Sequence, residues 1–118
     1  MVTERRVWQR AEALRRLGGD EELLRELCQI FLEESPKLLQ KLRQAVVYGD
    51  PEAALQAAHC LKGELSYLGA GKASQIARQL QDMADDKDLS QAAEKLAFLE
   101  RELANLHCAM KDSAGMLR

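Results

Sequence analysis

Apolar residues in this chain recur at steps of three and four and almost never alternate with polar ones, and that rhythm limits the fold more than any other feature. The plainest stretch lies near the C-terminus, where Leu89, Ala92, Leu96, Leu99, Leu103, Leu106 and Met110 form one narrow stripe, with Asp88 ahead of it as the expected N-cap. Upstream, Gly18-Gly19-Asp20 opens a long segment that Gly49-Asp50-Pro51 closes. Its buried face is expected to hold Leu23, Leu24, Leu27, Ile30, Phe31, Leu38, Leu39, Leu42 and Val46. Pro36 stands in the middle of it, but the stripe resumes at once in KLLQKL, so one kinked helix is expected rather than two. A shorter amphipathic piece with Val7, Ala11 and Leu14 comes first. Further helices are expected from about Pro51 to Leu68 and, after Gly69-Ala70-Gly71, from Lys72 to about Ala84, the latter burying Ala73, Ile76, Ala77, Leu80 and Met83. Short connections favour antiparallel neighbours. The expected fold is all-α, an antiparallel up-and-down four-helix bundle with a short leading N-terminal helix. A chain of 118 residues makes one such domain, with a core of about 5–111 and a frayed tail over 112–118.

The bulk properties remove several functions. A formal net charge of −2 leaves no basic footprint, so no nucleic-acid partner is expected. No apolar run approaches the roughly 18 residues of a membrane span, and MVTERRVWQR lacks the apolar centre of a signal peptide, so no membrane contact is expected. Cys28, Cys60 and Cys108 are odd in number and widely spaced, which suits neither a disulfide framework nor a zinc knuckle. Reduced thiols in a cytoplasmic protein are the expectation. Gly69-Ala-Gly-Lys-Ala-Ser74 resembles the end of a phosphate-binding loop, but Ser66 holds the required upstream glycine position and Ala73 follows the lysine. It reads as a turn into a helix.

One stretch carries chemistry: AAHCLKGELSYLGAG, residues 57–71. At 100° per residue, Ala54, Ala58, Leu61, Leu65 and Leu68 cluster within roughly 40° of one direction, which marks the core, and His59 lies about 150° away. Lys62, Gly63 and Ser66 fall on that same outward side, with Leu55 and Gln56 one turn earlier. Lys62 and Gly63 stand at i+3 and i+4 from the histidine, the positions that neighbour it on a helix surface. An ammonium beside an imidazole favours the neutral, nucleophilic ring and stabilises a negative group placed on it. Gly63 costs about 1 kcal/mol relative to alanine in a helix interior, yet it clears an approach to the ring. A nucleophile, a charge stabiliser and a clear path suit phosphoryl transfer to histidine.

The run His59-Cys60-Leu61-Lys62-Gly63, followed by Leu68-Gly69, resembles the H-x-L-K-G signature of histidine-containing phosphotransfer (HPt) domains. LGGDEELLRELCQIFLEESPKLL resembles that family's second helix with its lead-in, so the likeness covers most of the chain. The resemblance implies a phosphorelay intermediate of two-component signalling: His59 accepts a phosphoryl group from a receiver aspartate and passes it to another. It implies that Lys62 interacts with the phosphoryl group, that Gly63 gives the partner room, and that Gln81 on the next helix orients the imidazole. Partners would be receiver domains of response regulators, of a hybrid sensor kinase, or both, with magnesium supplied by the receiver, no cofactor bound here, and a monomer expected. The docking surface would surround His59 and include Leu55, Gln56, Gly63, Ser66 and Tyr67, with Trp8 or Leu14 from the first helix as outlying members.

Two residues depart from the family pattern. Glu64 replaces a small residue and lies on the flank of the core, about 70° from its centre, where a basic partner or an exit to water is expected. Tyr67 is bulkier than many residues at its position. Neither removes a phosphotransfer group, but both bear on partner choice. Three other readings stand beside this one: a histidine-bearing domain of a chemotaxis-type kinase, phosphorylated by an ATP-binding domain; a phosphorylation-independent receiver-binding adaptor; and a metal bundle using His59-Cys60 and His107-Cys108. Adjacent helical residues diverge by 100°, so the metal reading is the poorest, and His107 reads as an ordinary helix residue.

Overall fold

Turn chemistry fixes where each helix begins and ends. The carboxylate of Asp20 accepts a hydrogen bond from the Leu23 N–H at 3.0 Å, and that of Asp50 accepts from Ala53 N–H at 3.2 Å, so both act as N-caps. Between them Gly49 takes the left-handed conformation (φ 65°) that ends one helix, and Pro51 begins the next at its first position. The computed structural model describes residues 8–112 and contains, among them, five helices and no strand. These are α1 (Arg10–Arg16), α2 (Glu21–Tyr48), α3 (Pro51–Tyr67), α4 (Gly71–Asp85) and α5 (Ala92–Asp112). Pro36 lies inside α2, which continues through it as one helix.

Contacts between the long helices close a ring: α2 packs on α3, α3 on α4, α4 on α5, and α5 back on α2. The α3–α4 contact is the most extensive, because alanines line it. Ala54, Ala57 and Ala58 of α3 and Ala73, Ala77 and Ala84 of α4 are all buried, which lets the two backbones approach. Leu24, Leu42, Leu61, Leu65, Leu80, Leu99, Leu106 and Met110 fill the centre. At roughly 1.5–3 kcal/mol for each fully buried side chain, this is the main favourable term in folding. The five residues expected on the buried face of α3 and its exit, Ala54, Ala58, Leu61, Leu65 and Leu68, are all buried. No described helix is long and apolar enough to cross a membrane.

The segment before α1 is strapped over the α3–α4 turn. The Trp8 indole N–H donates to the Leu68 carbonyl at 2.8 Å, and the Gln9 N–H donates to the Gly69 carbonyl at 2.8 Å. A Cβ on Gly69 would stand 2.6 Å from the Gln9 carbonyl oxygen, and its φ is +82°, so this glycine is required twice over. Trp8 is only 3% exposed and precedes the helix, and Leu14 packs half-buried against the core. The expectation that Trp8 is an outlying member of a docking surface is corrected, because its side chain is buried. Trp8 is an anchor, since a large indole with a satisfied N–H gains more by burial than it could by waiting on the surface.

Other expectations are corrected here. The last helix begins at Ala92 rather than Leu89, because the Asp88 carboxylate accepts hydrogen bonds from Ser90, from its N–H at 3.1 Å and its hydroxyl at 2.7 Å, and so forms a turn instead of a cap. Ala13, not Ala11, is the buried alanine of α1, while Val7 lies outside the described residues. So do residues 5–6 of the expected core and 113–118 of the expected tail. On α2, Ile30 is 55% exposed and Leu23 37% exposed, so the apolar arc of that helix is wider than the core it covers.

Candidate functional site

His59 lies in the third turn of α3, on the side turned away from Ala58 and Leu61, and it is exposed. Its ring makes no side-chain hydrogen bond among the described residues. One turn on, Gly63 is also exposed, and a Cβ built there would meet nothing within 4 Å outside the helix backbone. Nothing in the packing of this molecule requires a glycine at 63. That contrasts with Gly69, where a side chain would strike Gln9.

α4 supplies the opposite wall. The Ser74 hydroxyl donates to the Lys62 carbonyl at 3.1 Å and fixes the first turn of α4 against α3. Along this seam runs a polar cleft whose lining includes Lys62 and Ser66 from α3, Ser74, Arg78 and Gln81 from α4, and Arg16 from α1. Lys62 is half-buried at its stem and forms no ion pair among the described residues, so its ammonium group is available. The Gln81 Oε1 is buried and accepts no hydrogen bond. A buried amide oxygen without a donor is costly, and such groups concentrate where a ligand or a moving side chain completes them. The Arg16 guanidinium donates to the Ser66 carbonyl, closing the C-terminal end of the cleft.

The other expected contact residues lie on different sides of His59. Gln56 faces α2, in a surface hollow with Lys41, Gln44, Tyr48 and Cys60. Leu55 packs half-buried against the core. Tyr67, 50% exposed, forms with Leu27, Ile30, Phe31 and Leu68 a second, apolar groove between α2 and α3. Glu64 lies in that groove. Of the two outcomes expected for it, a basic partner or an exit to water, no cation pairs with it among the described residues; the residue is half-exposed, with Oε1 buried and without a hydrogen bond. Burial, reinforced by the nearby Glu34 carboxylate, raises its pKa above the usual carboxylate value.

The second histidine is differently placed. His107 of α5 is half-buried, its Nε2 is 3.0 Å from the Oγ of buried Ser35, and Phe31 meets its ring edge-on with centroids 5.9 Å apart. Burial, and then the Lys111 ammonium, lowers its pKa from the ordinary histidine value. Cys60 and Cys108 are exposed free thiols, and Cys28 is a buried one whose pKa burial pushes up to about 11. Among the described residues no group of three or more His, Cys, Asp or Glu could hold a metal ion.

Sequence reasoning assigned no surface role to Arg16, Ser74 and Arg78 of the cleft, and it expected Leu27 and Ile30 of the groove on the buried face instead. The cleft residues carry no signal without knowledge of which helix packs against α3. The groove had one: Leu23, Leu27 and Ile30 lie roughly 60–120° from the direction of Leu24 on α2, beyond what a single core-facing stripe needs.

Comparison with known proteins bears on this arrangement. A family model described as Hpt domain matches residues 26–108. Among solved structures, the crystal structure of histidine-containing phosphotransfer protein B (HptB) from Pseudomonas aeruginosa PAO1 is similar, with 27% sequence identity and a TM-score of 0.83, over 91% of this chain and 94% of that one. No curated protein matches.

Proposed function

The chain belongs to the Hpt domain family, and from that premise we propose that it is a phosphorelay intermediate that carries a phosphoryl group on His59 between receiver domains. The observation that carries this reading is the exposed His59 beside a Gly63 that no internal contact requires. A bare patch of helix next to an unpartnered imidazole serves a reaction whose other half arrives on another macromolecule.

In the transfer, the Nε2 lone pair of His59 attacks the phosphorus of a receiver aspartyl phosphate. An N–P bond forms as the acyl P–O bond breaks, and the bonding pair returns to the aspartate as a free carboxylate. The proton on Nδ1 stays in place throughout. Lys62 meets the charge of the transferred group, and when the ring turns toward α4 the Gln81 Oε1, unpartnered in the free protein, accepts from the imidazole Nδ1–H, fixing the tautomer that leaves Nε2 free. The reverse reaction delivers the group to a second receiver. Magnesium and the acidic pocket belong to the receivers in this reading. The receivers would be those of response regulators or a hybrid sensor kinase, met by a cytoplasmic monomer whose α2–α5 run as an antiparallel up-and-down bundle behind the leading α1. Gln56, Leu55, Ser66 and Tyr67 surround the point of contact.

The test is transfer from receiver domains of the source genome charged with radiolabelled acetyl phosphate. Label should pass to this protein in an acid-labile form, and a His59→Gln variant should receive none. Lys62→Ala should slow transfer by roughly 100-fold, and Gln81→Ala should slow it less while changing its pH profile. Undiminished transfer to His59→Gln would remove the proposal.

A further inference from the structure

The polar cleft between α3 and α4 has three cations in its lining, Arg16, Lys62 and Arg78, against one carboxylate, Asp82. The three differ in what they are bound to. Arg16 is held by the Ser66 carbonyl and lies 3.9 Å from the Glu12 carboxylate. The side chains of Lys62 and Arg78 make no ion pair or hydrogen bond among the described residues. Arg78 is the more unusual of the two, because a partner is at hand. Asp82 stands four residues further along α4, a spacing at which helix ion pairs form. The other basic residue of α4, Lys72, is paired with Glu102 at 3.3 Å.

Helix phase and register bring Arg78 level with His59. Lys62, Ser66 and His59 lie to one side of the core direction of α3, at roughly 90°, 130° and 150°. Buried Ala73, Ala77, Leu80 and Ala84 mark the core direction of α4. Gln81, Ser74 and Arg78 lie to one side of it, at roughly 70°, 90° and 130°. That side is turned to α3, since the Ser74 hydroxyl bonds the Lys62 carbonyl. Residues 68–70 alone separate the two helices, so α4 runs back along α3. Arg78 is four residues beyond Ser74, about 6 Å by helix rise, and His59 is three before Lys62, about 4.5 Å. Helix axes pack about 8–10 Å apart, and alanine-lined ones at the close end of that range, a gap that an arginine side chain spans.

We propose that Arg78 is a second binding residue for the phosphoryl group on His59, closing on it from α4 while Lys62 meets it from α3. This rests on the phosphorelay reading and adds the opposite wall of the site to it. In that reading magnesium stays with the receiver when the group is transferred, so the charge of the phosphoimidazole is left to this chain's own cations. An ammonium group supplies a point charge. A guanidinium adds a planar fork that holds two phosphoryl oxygens at once. Gln81, three residues beyond Arg78 on the same side of α4, takes the other nitrogen of the ring.

The test uses the full chain phosphorylated with phosphoramidate, a donor that needs no receiver, and follows the ³¹P resonance of the phosphohistidine through a pH titration. Arg78 is exposed, so Arg78→Ala should fold as the wild type does, which circular dichroism checks, and Arg78→Lys keeps the charge. A cation in contact with the group favours its dianionic form. The midpoint of the titration should therefore rise by about one pH unit in Arg78→Ala, the lower end of an ion-pair shift because the cleft is open to water. In Arg78→Lys it should stay near the wild-type position. A residue that served only the fold would leave the midpoint where it is. Equal midpoints in all three proteins would overturn the proposal. If the folded wild type takes no phosphate on His59, the phosphorelay reading fails and this one with it, a result distinct from equal midpoints.

Discussion

The two histidines of this molecule lie on different helices, α3 and α5, and have opposite surroundings. His107 is held by Ser35 and Phe31 of α2, half out of water. His59 is exposed and makes no side-chain hydrogen bond among the described residues, with a glycine one turn away that packing does not need. A histidine that contributes to stability has its bonding completed by its own chain. On the proposed reading His59 is left incomplete because it reacts, with the stability cost accepted nearby, at Gly63 and in the unpaired Gln81 oxygen. Exchange of the two roles by substitution is the direct way to break this contrast.

The largest difference should be in receiver exchange itself. His59→Gln should abolish transfer while changing stability by no more than about 0.5 kcal/mol, as for an exposed surface substitution. His107→Gln should leave transfer intact and lower stability. A variant pair behaving the other way round, by transfer assay and urea denaturation, would reverse the assignment. Next in size is Ser35→Ala, which leaves the buried edge of His107 without its hydrogen bond. It should cost about 1–2 kcal/mol in chemical denaturation, with transfer unaffected.

Gly63→Ala should act in two directions at once. The open space around position 63 admits a methyl group, so helix propensity should raise stability by about 0.5–1 kcal/mol. Exchange with a bulky receiver should slow, whereas labelling by the small donor phosphoramidate should hardly change. Equal slowing with both donors would mean that Gly63 serves the ring and not the partner. Gly69→Ala supplies the counterpoint: with Gln9 in the way, it should only destabilise.

The smallest effect is a pH dependence confined to His107. Its folded pKa is lowered by burial and then by Lys111, so the unfolded chain binds the proton more readily. The stability contributed by the neutral ring is complete above the unfolded value of about 6.5 and is lost as pH falls through the folded one. The stability gap between wild type and His107→Gln should therefore narrow from pH 7 to pH 5, read as the difference of denaturation midpoints. A constant gap would mean that burial does not perturb this ring.

Much of this arrangement was legible in the sequence because helix phase alone decides it. Ala54, Ala58, Leu61, Leu65 and Leu68 are buried, and His59 is exposed opposite them, as a 100° step requires. What phase cannot reveal is which neighbour a residue meets. Trp8 seemed a surface residue until the α3–α4 turn offered its carbonyl. Asp88 had the right type for a cap but was taken by Ser90. Glu64 was correctly placed on the flank of the core, and phase could not tell a basic partner from an exit to water; among the described residues the facing stretch of α2 brings Leu27, Ile30 and Phe31, and the side chain stays half-exposed. His107 read as an ordinary helix residue because its bond to Ser35 spans 72 positions of chain. Long-range pairings of this kind carry no local signal.

Whether His59 bears the phosphoryl group can be read by locating that group after incubation of the folded protein with phosphoramidate, by tandem mass spectrometry under alkaline conditions together with ¹⁵N–¹H correlation spectra of the two imidazoles. Phosphate should appear on His59 Nε2, with His107 unshifted. Phosphate on His107, or a folded protein in which neither ring is modified, would contradict that assignment.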